Sequence, residues 1–184
     1  QAYFKNCFID GNTDYIFGGG DVLFDACELS YYGYSNTQKG AYITAAADGS
    51  TTGYIFRNCY VSANDAWDVA AGYFGRPWRS SATVAFLNTK LQTKDTVTAV
   101  GWNSMSGARP EDANYQEYNT TVLGSGAADV SARTAGTVKN ENPYADIVQT
   151  FKGWQPFYFV QETDTAVTVK DIAIEGELKT GSVL

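Results

Sequence analysis

Four stretches of this chain align with one another: YFKNCFI (3–9), VLFDACEL (22–29), YIFRNCYV (54–61) and VAFLNTKL (84–91). The alignment places Phe4, Phe24, Phe56 and Phe86 in one column and Cys7, Cys27, Cys59 and Thr89 in another. Along the second column the steps are 20, 32 and 30 residues. Each copy alternates apolar with polar residues, as a strand with one buried face does. One strand per irregular coil, with turns rich in Gly, Asn and Asp between copies, predicts an all-β solenoid, a parallel β-helix in which like residues stack on like. An antiparallel β-sandwich is the rival, and it requires regular short hairpins. Asp10-Gly11 and Asp48-Gly49 can each make a tight turn, but no series of such turns links the four copies.

Further on the period changes. In ENPYADIVQTFKGW (141–154) Asn142 can cap, Pro143 suits a first helical position, and Tyr144, Ile147, Val148 and Phe151 fall at i, i+3, i+4 and i+7, with Gly153 as a stop. The pattern predicts one short amphipathic helix near the C-terminus, lying against the flank or an end of the stack, because an open coil end exposes core side chains and backbone groups. Residues 1–160 are read as the β-helix domain. Residues 161–184 open with polar residues and then alternate, which suggests a linker and the start of a further small β module.

Composition removes several kinds of chemistry. The formal charge is −7 and no basic cluster interrupts it, which argues against nucleic acid or an anionic membrane as partner. No apolar run approaches the ~20 residues of a membrane-crossing helix. The chain has no histidine, so Ser-His-Asp and Cys-His nucleophile pairs and His-ligated zinc are excluded. Cys7, Cys27 and Cys59 are too few and too far apart for a metal knuckle and read as core residues. Carboxylate chemistry is what remains.

One carboxylate stands out. In GNTDYIFGGG (11–20), Asp14 lies between a turn-forming segment and an apolar Tyr-Ile-Phe, against walls that would disfavour its charge unless a cation stood close. GYFGRPWRS (72–80) offers that cation, since Pro77 and Trp78 would present Arg76 from a rigid turn beside an aromatic. A charged, oriented carboxylate in a partly dry groove can attack an ester carbonyl. The same residues are equally those of a structural Asp-Arg pair tying two neighbouring coils together.

KNCFIDGNTDYIFGGGDVLFDACEL resembles the pectin methylesterase (pectinesterase) signature, in which a Gly-x-x-Asp-Phe-Ile-Phe-Gly run carries a nucleophilic aspartate, and GYFGRPW is similar to that family's Leu-Gly-Arg-Pro-Trp motif. YITA (42–45), TVAFLNTKL (83–91), VGWNSM (100–105) and YQEYNTTVLGSGA (115–127) follow in the family's order, so the likeness covers about residues 1 to 160. The resemblance implies a right-handed parallel β-helix, secretion, and removal of methyl esters from homogalacturonan (pectin) without metal or organic cofactor. It matches Asp14 to the nucleophile, Arg76 to the arginine that hydrogen-bonds it, Trp78 to the aromatic beside the sugar and Phe17 to the lining of the cleft. It also places Trp102 and Tyr15 near the substrate.

The chain departs from that pattern in two places. The family's upstream Gln-Asp-Thr, which carries the acid/base aspartate and an oxyanion glutamine, is not in this sequence, and Ala45-Ala46 stands where Ala-Gln is usual. Asp10, Asp21 and Asp25 do not match the missing acid and read as turn or solvent-facing carboxylates. The expectation is a truncated, nearly inactive fragment, with an open solenoid end available for self-association. A non-catalytic pectin-binding β-helix is the alternative. Asn12-Thr13-Asp14 resembles a polygalacturonase motif, but the Asp-Asp pair and Gly-His-Gly of that family are lacking, and the acids are too dispersed for a calcium-dependent lyase.

Overall fold

The computed structural model describes residues 1–33, 41–64 and 71–154. The chain winds through successive coils. β1 (Ala2–Lys5), β2 (Phe8–Gly11) and β3 (Thr13–Gly18) form the first, and β4 (Val22–Asp25), β5 (Glu28–Tyr31) and β6 (Tyr42–Ala46) the second. β7 (Tyr54–Arg57), β8 (Tyr60–Ala63) and β9 (Tyr73–Gly75) follow, then β10 (Thr83–Leu87) and β11 (Lys90–Leu91). β12 (Asn114–Tyr118), β13 (Thr121–Val122) and β14 (Gly126–Ala127) complete the stack. Corresponding strands pair in three sheets, β1-β4-β7-β10-β12, β2-β5-β8-β11-β13 with β14 added, and β3-β6-β9. All these pairs are parallel except the one between β13 and β14. This is a parallel β-helix, as the repeat predicted.

The repeat columns are the register itself. Phe4 pairs with Phe24, Phe24 with Phe56 and Phe56 with Phe86. Their rings stack at 5.2, 4.5 and 4.3 Å between centroids, within 11° of parallel. Like shapes at an inter-strand spacing of ~4.8 Å can stack face to face, which is why an in-register solenoid selects one residue type per column. Cys27, Cys59 and Thr89 are buried one rung above another, with Cys7 half-buried below them, and all three cysteines are free thiols.

Between the first two sheets the chain turns at Asn6, Ala26, Asn58, Asn88 and Asn119, all in the left-handed region (φ 52–57°). Asn tolerates that conformation better than most residues. The upper three also bond side chain to side chain, Asn119 donating to Asn88 (2.9 Å) and Asn88 to Asn58 (3.2 Å). Asn58 and Asn88 are the residues before Cys59 and Thr89 of the cysteine column, so this part of the ladder is legible in the sequence.

Two local expectations change. The helix is α1 (Ile147–Thr150), shorter than the apolar pattern implied, and its cap is Asp146, whose carboxylate accepts from the Gln149 amide at 2.9 Å. Asn142 instead closes a turn by accepting from the Tyr144 amide. The helix lies on the flank of the stack, where the Thr52 hydroxyl donates to the Thr150 carbonyl and Phe151 is buried. Asp25 is not solvent-facing: it is 6% exposed and takes both Nε and Nη2 of Arg57, at 3.0 and 2.6 Å. Asp21 holds a turn by accepting from the Thr52 and Gly53 amides. Residues 155–184, including the proposed linker and β module, lie outside the described residues.

Candidate active site

The Asp14 region is built on the third sheet. The pairing of β3 with β6 aligns Thr13 with Tyr42 and Ile16 with Thr44, with a bulge between. Asp14 sits in that bulge at φ 52°. An extra residue in a left-handed conformation breaks the strict alternation of a strand and re-aims side chains. Thr13, Asp14 and Phe17 therefore face one groove, while Tyr15 and Ile16 pack against the core. The turn is permitted by Gly11, where a Cβ would overlap the Tyr15 side chain.

Arg76 meets Asp14 in a fork. Its Nε donates to Oδ1 at 2.9 Å and its Nη2 to Oδ2 at 2.7 Å, with side-chain exposures of 22% for Arg76 and 18% for Asp14. A bidentate guanidinium fixes the plane as well as the position of a carboxylate. The two residues are not on neighbouring rungs, because β6 lies between β3 and β9, the strand that leads into Arg76. The arginine reaches across an intervening strand, a span of about two inter-strand spacings, or ~9.6 Å.

Gly75 makes this approach feasible, since a Cβ there would collide with the hydroxyl and carbonyl oxygens of Thr44. Replacing Gly75 by Ala is expected to displace β9 from β6 and lower stability by ~1–3 kcal/mol, as overpacking does, read as a shifted urea midpoint at unchanged slope.

The groove has a volume of about 380 Å³ and is lined by Thr13, Asp14, Phe17, Ala45, Trp78 and Met105. Phe17 is 68% exposed and meets Trp78 edge to face, with ring centroids 6.4 Å apart. Trp78 is itself held by its amide bond to the Ala46 carbonyl and by Arg79 over its ring. Met105 arrives from a tight turn closed by reciprocal backbone bonds with Ala108. Asp14 is the only carboxylate lining the groove among the described residues.

Two residues expected at the substrate do not line the Asp14 groove. Tyr15 turns inward at the bulge, and burial, with the charge of Asp10 adding, pushes its phenol well above the ordinary range. Its hydroxyl has no partner among the described residues. Trp102 is 2% exposed and stacks on Tyr115 at 4.3 Å, beside Phe74. Its register explains this: Thr44 pairs with Gly75 and Gly75 with Trp102, so Trp102 continues the column of the buried Thr44 and packs among Phe74, Phe86 and Tyr115. Neither side chain faces the Asp14 groove. The structure adds Met105, Thr13 and Ala45 to its lining, and all three fall within the motifs VGWNSM, GNTDYIFGGG and YITA.

Among the described residues no group of three or more acidic or thiol side chains is placed to hold a metal ion, and no helix is long and apolar enough to cross a membrane. The pectinesterase family model matches residues 1–149. A probable pectinesterase A of Neosartorya fischeri is 38% identical over 138 residues, covering 72% of this chain and 38% of the relative. The solved pectin methylesterase of Aspergillus niger superposes with a TM-score of 0.65 at 31% identity, over 82% of this chain and 46% of its own. A pectin methylesterase in complex with hexasaccharide VII superposes at 0.62 and 25% identity, over 84% and 52%. The chain thus spans less than half the length of the curated relative and about half of the solved chains. The stacked coils, the arginine-forked aspartate and these matches along nearly the whole described chain agree, and the chain belongs to the pectinesterase family.

Proposed function

We propose that Asp14 is the nucleophile with which the full-length protein, secreted to where pectin lies, removes methyl esters from homogalacturonan. The observation that carries this reading is the Asp14 carboxylate, oriented by the Arg76 fork in a groove that Phe17 and Trp78 also line. Aromatic walls suit the apolar faces of sugar rings, and the fork leaves each carboxylate oxygen a lone pair directed away from Arg76. Asp14 attacks the C6 ester carbonyl to form a tetrahedral oxyanion. Collapse expels methanol and leaves an acyl anhydride, which water opens to free acid and regenerated Asp14.

Methanol needs a proton as it leaves, and the oxyanion needs donors. No second carboxylate lines the groove among the described residues, and on the family resemblance both roles are read as those of the Gln-Asp-Thr segment that is not in this sequence. General acid help is worth ~10²- to 10⁴-fold, and this chain alone is accordingly expected to turn over poorly. The hexasaccharide bound by a structural relative supports a polysaccharide ligand for the groove.

The test is methanol release by the full-length protein from methyl-esterified homogalacturonan, with fully de-esterified polymer as the blank. Stoichiometric methanol and new carboxylate are expected. Tight binding of the esterified polymer without methanol would replace this reading with that of a non-catalytic pectin-binding β-helix.

A further inference from the structure

The guanidinium of Arg76 does more than meet Asp14: it lies over the ring of Tyr42, 4.1 Å from its centroid. Tyr42 belongs to β6, the strand that Arg76 must cross to reach β3. The ring is fixed from two further sides. It stacks on Tyr73, its register partner, at 4.9 Å and 12°. Its hydroxyl accepts at 2.9 Å from the side-chain amide of Asn103, a residue from the rung beyond β9. Nothing in the chemistry of ester cleavage calls for a tyrosine in this position, and Tyr42 is not among the residues lining the Asp14 groove.

We propose that Tyr42 is a positioning residue for the Asp14–Arg76 pair, its ring serving as the surface on which the crossing guanidinium is laid flat and held in the plane of the carboxylate. This inference rests on the reading of Asp14 as nucleophile. A long arginine side chain spanning two strand spacings has many rotamers, and losing them costs free energy. A cation–π contact on an immobilised ring, with the carboxylate fork at the far end, selects one of them. Tyr73 and Asn103 hold the ring, the ring holds Arg76, and Arg76 orients the attacking oxygens. The function of Tyr42 is therefore felt at a reacting atom that it does not touch.

The experiment compares Tyr42→Leu, Tyr42→Phe and Asn103→Ala in the full-length protein. Two quantities are read: the kcat and KM for methanol release, and the exchange rate of the Arg76 Nε proton by nitrogen-15 NMR, which requires no turnover. For Tyr42→Leu, kcat is expected to fall about tenfold with KM within twofold, and Nε–H exchange to quicken about tenfold, in keeping with a lost cation–π contact. Tyr42→Phe keeps the ring and should restore kcat to within about threefold of wild type. Asn103→Ala loosens the ring without removing it and should give a smaller loss in the same direction, which keeps the proposal testable should Tyr42→Leu not fold. A loss confined to KM, or unchanged Arg76 exchange in both Tyr42→Leu and Asn103→Ala, overturns the proposal. Wild-type methanol release by an Asp14→Asn enzyme would instead overturn the nucleophile reading, and the exchange comparison would still decide whether Tyr42 positions the arginine.

Discussion

Asp14→Asn in the full-length protein is expected to lower kcat for methanol release by ~10³-fold or more, the scale on which removing a nucleophile acts. The substitution is nearly isosteric, so the loss is chemical. An amide oxygen is neutral and cannot form the anhydride. The geometry of the fork suffers as well. Both Arg76 nitrogens now donate to carboxylate oxygens, and in the variant one of them would face an NH₂ group, donor against donor. The cost to stability should stay modest, on the order of 1 kcal/mol, because the pair is about one-fifth exposed and water can re-partner the guanidinium. Matched thermal melts and initial rates measure the two effects together. An Asp14→Asn enzyme that keeps its rate within tenfold would rule out Asp14 as nucleophile.

The second large effect concerns the far end of the stack. Arg133→Met is expected to lower stability by ~3–5 kcal/mol, the range for breaking a buried ion pair from one side. In sheet register, Phe86 pairs not with a fifth aromatic but with Glu117, which is 1% exposed. The aromatic column thus ends in a carboxylate. Glu117 accepts from Arg133 Nε at 2.8 Å and from the Thr120 hydroxyl at 2.7 Å. Arg133 also donates through Nη1 to the Thr98 and Ala99 carbonyls, and it lies over the Phe74 ring.

The backbone around Glu117 is closed by the Thr137 carbonyl and the Lys139 amide. The ion pair is therefore the plug over the upper core, satisfying carbonyls that a further coil would otherwise cover. Methionine fills much of the volume but leaves Glu117 charged, buried and short of a donor. For a folded body of about this size, a loss of ~3–5 kcal/mol should lower Tm by ~6–20 °C. Adding Glu117→Gln in the same chain should recover a good part of that loss, because the stranded charge is then gone. A Tm for Arg133→Met within 2 °C of wild type would mean the plug contributes little.

How far the sequence reaches into this molecule can be traced residue by residue. Phe4, Phe24, Phe56 and Phe86 align in the sequence and stack in the structure. Strand geometry makes this legible, since a period of two sorts inside from outside and equal rings pack best on equal rings. The partnership of Asp14 with Arg76 and the aromatic walls Phe17 and Trp78 were likewise readable, through motifs that retain their order along the chain. Beyond these, local pattern misleads. Tyr15 and Trp102 lie beside motif residues and yet point inward, one because a left-handed bulge at Asp14 reverses the alternation, the other because its rung pairs it above Gly75.

The placement of Tyr42 beneath Arg76, the burial of Asp25 against Arg57 and the closing of the phenylalanine column by Glu117 depend on how many residues each coil spends between strands. The sequence alone determined which residues stack, because stacking repeats one local pattern at every turn. The tertiary structure decided which of them meet across rungs, because such contacts join residues far apart in the chain, 62 positions for Asp14 and Arg76, and their geometry is set by coil length and by a bulge.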